Sequence, residues 1–189
     1  MITSLSNNRE LNISELPKEI ENILVKYNAP EKLKRHLRLV SFTADNLIFY
    51  IQREWINLYL NEELIKFGAA THDIGKVIEV KELYQSGKKH EAIGQNLLIE
   101  NGFSQAYSRF AYTHGNWKNE NLKLEDLIVS LADKIWKGKR VFELEEMIAK
   151  RISNELNVDY WNVYQVLDTI LQEIEISAQK RLNWQNKTD

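Results

Sequence analysis

Residues 62–76 read EELIKFGAATHDIGK, and this stretch joins a helical pattern to the residues that most restrict the fold. Its apolar spacing predicts a helix over 62–73 with His72 and Asp73 in the last turn. The small residues GAA at 68–70 allow another helix to approach closely. Because neighbouring helical residues point about 100° apart, His72 and Asp73 can address one metal ion together or leave Asp73 free to bridge two.

The other three of the four histidines in the chain lie in similar surroundings. His36, His90 and His114 each fall on the apolar side of their own predicted helix, and Asp73 and Asp133 have equally apolar neighbours. A single histidine on such a face is usually a core residue. A buried carboxylate, however, is costly unless it meets a cation. Four histidines with two aspartates therefore favour a metal site gathered from several helices.

The composition narrows the class of protein. At 189 residues with 43% hydrophobic residues, the chain is long enough for one domain with a substantial core. The absence of cysteine excludes a disulfide framework, a thiolate nucleophile and a cysteine zinc site. A net charge of −2 provides no global attraction for nucleic acid. With neither an apolar signal core nor a membrane-length apolar stretch, we expect a cytoplasmic protein without a membrane span.

The remaining pattern is helical, because two prolines and seven glycines leave long uninterrupted windows. We expect an all-α bundle without strands, forming one domain over 1–189. Its other helices are predicted from Ser14 to about Tyr27, from Pro30 to about Ile51, from His90 to about Asn101–Gly102, over 105–114, around Asp133, over 141–156 and over 158–182. An apolar stripe in the last helix is read as core or as a homodimer face; it comprises Trp161, Tyr164, Leu167, Leu171, Ile174 and Ala178.

The order of the candidate ligands resembles a known family. His36, then His72-Asp73-Ile74-Gly75-Lys76, then Asp133 within SLADKIW is similar to the pattern of the HD superfamily of metal-dependent phosphohydrolases. The resemblance implies an all-α HD-domain bundle with its core at about 30–140 and additional C-terminal helices over 141–189. It also implies that His36, His72, Asp73 and Asp133 bind one divalent metal ion.

Two further histidines resemble the second metal site of binuclear HD enzymes. His90 in KHEAIGQNLL and His114 in YTHGNW match the corresponding ligands, which would leave Asp73 as the bridge. Enzymes with such a site include the HD-GYP cyclic-dinucleotide phosphodiesterases and the HD-type symmetrical dinucleoside-tetraphosphate hydrolases. The chain departs from the HD-GYP pattern, because Thr113 replaces a paired histidine and GNWKNEN replaces the Gly-Tyr-Pro loop. This departure argues against cleavage of cyclic di-GMP.

The resemblance implies hydrolysis of a phosphoester or phosphoanhydride, with a nucleotide or another small phosphorylated molecule as the substrate. Two divalent ions per chain (Fe, Mn, Zn, Co or Ni) would activate the attacking water. Lys76 resembles the lysine that contacts the scissile phosphate, although a lysine at a helix end also balances the helix dipole. Arg140 is the best candidate for bidentate phosphate binding among the basic residues of 134–140.

The sequence is also compatible with three alternatives. A mononuclear HD nucleotidase would use His90 and His114 only to support the first metal site. A non-catalytic HD module would bind a nucleotide or a protein partner. Nucleic-acid binding through the basic run at 134–140 is the weakest alternative, and it predicts an affinity that falls steeply with salt.

Overall fold

Helices provide the regular structure of residues 11–187, the part of the chain that the computed structural model describes, and no strand occurs within that part. The all-α expectation is therefore confirmed. The outermost residues of the expected domain, 1–10 and 188–189, lie outside the described range. The α-helices are α1 (Lys18–Lys26), α2 (Glu31–Glu54), α3 (Glu62–Thr71), α4 (Lys89–Glu100), α5 (Gln105–Ser108), α6 (Phe110–Thr113), α7 (Leu124–Ile135), α8 (Phe142–Leu156), α9 (Tyr160–Ile176) and α10 (Ala178–Gln185). Two 3₁₀ turns, Ile74–Val77 and Val80–Leu83, connect α3 to α4.

The long helix α2 is the centre of the bundle. It begins after Pro30, as predicted, because proline has a φ suited to the start of a helix and no N–H to leave unpaired. Its 24 residues extend three residues beyond the predicted end at Ile51. Val40, Leu47, Ile51 and other apolar residues at helical spacing are buried in the cluster that includes α3, α7 and α9.

Helix α3 ends earlier than predicted, at Thr71 rather than at residue 73. His72 caps the helix, and Asp73 precedes the 3₁₀ turn at Ile74–Val77. This turn lies directly against α4. A Cβ atom on Gly75 would stand 2.0 Å from the carbonyl oxygen of His90, so only glycine fits the contact. The close approach brings His72 and Asp73, which we call the HD pair, next to α4, the helix that carries His90.

Three other helix predictions need correction. Helix α1 begins at Lys18 rather than near Ser14, because Pro17 is extended and its carbonyl oxygen accepts the first helical hydrogen bonds. The segment predicted as one helix over 105–114 forms the two short helices α5 and α6. The helix predicted over 158–182 is interrupted at Ser177.

Two apolar clusters stabilise the bundle and meet beside the HD pair. The larger cluster includes residues of α2, α3, α7, α8 and α9, and the smaller one joins α1, the start of α2 and α4. Ala69 belongs to the larger cluster and Ala70 to the smaller one. Of the predicted C-terminal stripe, Leu171 is buried but Trp161 is 65% exposed. None of the helices within residues 11–187 combines the length and apolar character needed to cross a membrane.

Candidate metal centre

Four side chains from α2, the end of α3 and α7 converge to form what we call the first ligand group: His36, His72, Asp73 and Asp133. The Nε2 atom of His36 lies 3.1 Å from Nε2 of His72 and 3.1 Å from Oδ2 of Asp73. Asp133 Oδ1 lies 3.4 Å from Nε2 of His36 and 3.5 Å from Nε2 of His72. These separations fit four ligand atoms arranged around one divalent ion.

The second ligand group comprises Asp73, His90 and His114. It uses the other carboxylate oxygen of Asp73, since Oδ1 lies 3.0 Å from Nε2 of His90 and 3.4 Å from Nε2 of His114. The two Nε2 atoms are 3.5 Å apart. Asp73 thus presents one oxygen to each group. The structure brings together all six metal-binding residues that the sequence predicts.

Backbone carbonyls orient two of the histidines toward these groups. Nδ1 of His72 lies 2.9 Å from the carbonyl oxygen of Ala69, and Nδ1 of His114 lies 3.0 Å from that of Ala111. A carbonyl oxygen only accepts, so each Nδ1 carries the proton. In a neutral imidazole this leaves Nε2 with a free lone pair, which is the arrangement found in metal-ligating histidines.

Several hydrogen-bond acceptors converge at the centre of the cluster. Nε2 of His72 and Nε2 of His114 both face carboxylate oxygens, which cannot donate a hydrogen bond when ionised. Asp73 Oδ1 is buried and has no hydrogen-bond partner among the described residues. A buried acceptor facing other acceptors is costly, and a cation between them removes that cost. The residues present therefore fit divalent metal ions.

The surroundings keep both aspartates charged. Burial on its own raises the pKa of Asp73, but the surrounding imidazoles, that of His72 first, outweigh it and hold the pKa well below its usual range. The pKa of Asp133 is also well below its usual range, because its contacts with histidines outweigh burial. Burial lowers the pKa of His72, which favours the neutral, metal-binding form of the ring.

A residue that the sequence did not indicate supports the second ligand group. Oε2 of Glu82 lies 2.5 Å from Nδ1 of His90 and also accepts the backbone N–H of His90 at 3.1 Å. Oε1 accepts the backbone N–H of Lys89 at 3.2 Å. Glu82 therefore caps α4 and directs the imidazole of His90 toward Asp73. Its sequence context, KELYQSG, resembles any polar loop, so no pattern marks this role.

Two lysines lie beside the ligand carboxylates. Nζ of Lys76 is 2.6 Å from Oδ2 of Asp73, and Nζ of Lys134 is 2.6 Å from Oδ2 of Asp133. The structure thus places Lys76 at the centre, where the sequence predicted it. Lys134, one of the basic residues of 134–140, therefore also contacts a predicted ligand directly.

Arg140 is not brought into the cluster. Its guanidinium forms two hydrogen bonds with the buried Glu145, at 2.9 and 2.7 Å, and a third with Asp168 at 2.6 Å. These contacts, the bond with Glu145 first, raise its pKa above the usual value. Carboxylates of α8 and α9 therefore occupy the donors that phosphate binding would require, and the contacts favour a structural role for Arg140.

A comparison with protein families agrees with this geometry. The model of the family described as "HD domain" matches residues 31–136, more than half of the chain. The chain belongs to the HD-domain family. Most members of this family are metal-dependent hydrolases, and the HD domain is all-α. No curated protein and no solved structure matches the chain significantly. The matched segment contains both ligand groups and ends within one residue of α7.

Proposed function

We propose that this HD-domain protein is a metal-dependent phosphohydrolase with a binuclear centre. Its substrate would be a small phosphorylated molecule, with a nucleotide as the leading candidate. His36, His72, Asp73 and Asp133 would hold one ion, and Asp73, His90 and His114 would hold the other. Bound divalent ions supply Lewis-acid activation of water and of a phosphoryl oxygen.

A single observation carries this proposal: the two oxygens of Asp73 face different ligand groups. Oδ2 lies 3.1 Å from Nε2 of His36, and Oδ1 lies 3.0 Å from Nε2 of His90. A carboxylate in this position can bridge two cations. A mononuclear site would leave Oδ1, His90 and His114 buried together without a metal ion. The arrangement therefore favours two ions over one.

The lysines provide the remaining positive charge for a phosphate substrate. Lys76 and Lys134 are partly exposed, with side-chain exposures of 16% and 19%, so both ammonium groups border the site and solvent. Each is paired with a ligand carboxylate. Metal ions bound by these carboxylates would neutralise their charge, which would leave the ammonium groups available to phosphate oxygens. We propose Lys76 as the principal phosphate contact, with Lys134 beside it.

A hydrolysis screen tests the proposal. Purified protein supplied with Fe²⁺ or Mn²⁺ is assayed against a panel of nucleotides and phosphoesters, and its metal content is measured. We expect close to two ions per chain and release of phosphate or nucleotide from at least one substrate. Asp73→Ala should lose both the bound metal and the hydrolytic activity, because it removes a ligand from each group.

A matched variant separates this effect from general damage. Asp45→Ala removes an exposed carboxylate from α2 outside both ligand groups, and it should retain metal content and activity. Activity unchanged in Asp73→Ala would contradict the proposed mechanism. A metal-replete protein that hydrolyses nothing in the panel would instead favour a nucleotide-binding HD module.

A further inference from the structure

Helix α10 lies outside the segment that matches the HD domain, yet it contacts parts of the chain that carry metal ligands. Two of its side chains reach back across the bundle. Arg181 bonds to the end of α7, the helix that carries Asp133, and Gln185 bonds to the start of α2, the helix that carries His36. Both helices supply the first ligand group.

Arg181 is an unusual buried cation. It is only 2% exposed, and no carboxylate pairs with it among residues 11–187. Its guanidinium instead donates to three carbonyl oxygens: Nε to Trp136 at 2.5 Å, and Nη2 to Ile135 at 3.2 Å and to Ile174 at 2.8 Å. Nη1 bonds to the hydroxyl of Ser177 at 2.6 Å. Burial lowers the pKa of Arg181 to about 10.

Arg181 donates to carbonyls at the end of α7, where the carbonyl oxygen of Ile135 also accepts the N–H of Gly138 at 2.9 Å. The last carbonyls of an α-helix have no partner within the helix, and a cation there is stabilised by the helix dipole. Ile135 is the last residue of α7, and Asp133 lies two residues before it. The ring of Trp136 also packs edge-on against the imidazole of His36, with centroids 5.4 Å apart. Holding this end of α7 therefore positions two ligands.

Contacts at the other end of α10 reach α2 directly. Nε2 of Gln185 donates to the carbonyl oxygen of Lys32 at 2.9 Å, one helical turn before His36. The guanidinium carbon of Arg38 stands 5.3 Å from the ring centroid of Trp184. Helix α10 thus touches α2 on both sides of His36 along the sequence.

From these contacts we infer that α10 is a brace that sets the distance between His36 and Asp133, with Arg181 as its principal positioning residue. The inference rests on the proposed metal centre and concerns its first ligand group. The bonds of Arg181 and Gln185 reach α7, α9 and α2, whereas His90 is on α4 and His114 follows α6. Loss of Arg181 should therefore weaken one ion site and spare the other.

Titration with Mn²⁺ in two backgrounds tests this inference. His90→Ala leaves the first ligand group complete, and His36→Ala leaves the second complete. Adding Arg181→Met to His90→Ala should raise the Kd for Mn²⁺, by less than the roughly 10–100-fold typical of a residue bonded directly to a metal ligand. Adding it to His36→Ala should leave the Kd unchanged. The Arg181→Met variant with all four histidines intact is also examined by electron paramagnetic resonance. Loss of the first ion should abolish the magnetic coupling between two bound Mn²⁺ ions that the wild-type protein shows.

Two further variants control for stability. Ile152→Ala removes buried methyl groups from α8 and weakens the fold at a residue that belongs to neither ligand group and accepts no bond from Arg181; it should leave both Kd values unchanged. Arg181→Lys keeps the charge but presents fewer fixed donors, so its rise in Kd should be smaller than that of Arg181→Met. It also serves as the test variant if Arg181→Met does not fold.

The outcomes separate this inference from the proposed function. If the wild-type protein binds two Mn²⁺ ions and Arg181 substitutions change neither site, or change both equally, the inferred role of α10 is wrong. The proposed metal centre is then retained. If the wild-type protein binds no Mn²⁺, the metal centre itself fails, and the inference fails with it.

Discussion

Replacing Glu82 by glutamine should weaken metal binding at the second ligand group while leaving the first unchanged. The carboxylate lies 2.5 Å from Nδ1 of His90 and also accepts two backbone N–H groups of α4. Glutamine has nearly the same shape and retains one oxygen for the helix cap. It loses the negative charge that stabilises the N–H of His90 and keeps Nε2 directed at Asp73.

The expected magnitude follows from the role of such partners. Changing a residue that supports a metal-ligating histidine typically weakens binding by roughly 10–100-fold, which corresponds to about 1.4–2.7 kcal/mol. Isothermal titration of the Glu82→Gln protein with Mn²⁺ should show one site weakened by this amount and one unchanged. Activity should fall as the weaker site empties, and added Mn²⁺ should restore part of it.

Glu100→Gln provides the matched control, because it makes the same chemical change at the exposed last residue of the same helix. Its titration should resemble that of the wild-type protein. If Glu82→Gln binds both ions with wild-type affinity, then Glu82 does not support His90, and the proposed use of His90 as a ligand loses its main structural support. If both sites weaken equally, the effect is a general loss of structure.

Three other changes test the framework around the site. Asp126→Ala should lower the free energy of unfolding by about 3–5 kcal/mol in a urea titration, because it leaves Arg109 without its buried carboxylate partner; a loss under 1 kcal/mol would contradict this reading. Gly75→Ala should reduce metal content, because its methyl group would overlap the backbone of His90; full occupancy would refute the close-packing argument. Chelation should lower stability by about 2.7 kcal/mol, or roughly 5–10 °C in Tm, for each ion previously present at a hundredfold excess over its Kd. An unchanged Tm in thermal denaturation would oppose the binuclear centre.

Much of the fold followed from apolar spacing and from proline and glycine positions. The start of α2 after Pro30 and the end of α4 near Asn101 agree with the sequence prediction, because both depend on neighbouring residues along the chain. The predicted helix over 158–182 was wrong at Ser177. The interruption there coincides with a bond from Arg181, and the same arginine also caps α7, a partner about 45 residues away in sequence. A local pattern does not contain that partner.

The same distinction applies to the site. The six ligands could be found because histidine and aspartate are chemically conspicuous in apolar surroundings, and the HD pair and its order match a known family. Glu82 and Arg181 were missed because charged residues in polar stretches are usually solvated. Glu82 is 9% exposed and Arg181 is 2% exposed, and this burial arises only in the folded chain. Arg140 is the opposite case, a residue that the sequence favoured and the structure places elsewhere. Its guanidinium group suits phosphate, but Glu145 and Asp168 occupy its donors.

The sequence by itself determined that the chain is helical, that it carries an HD-type set of histidines and aspartates, and that no thiol chemistry is available. Those properties depend on residue identity, spacing and order. The tertiary structure decided that Asp73 presents one oxygen to each ligand group, that Glu82 contacts His90, and that α10 bonds to the start of α2 and the end of α7. These depend on distances of about 3 Å between residues far apart in the chain, which close packing of the helices alone establishes.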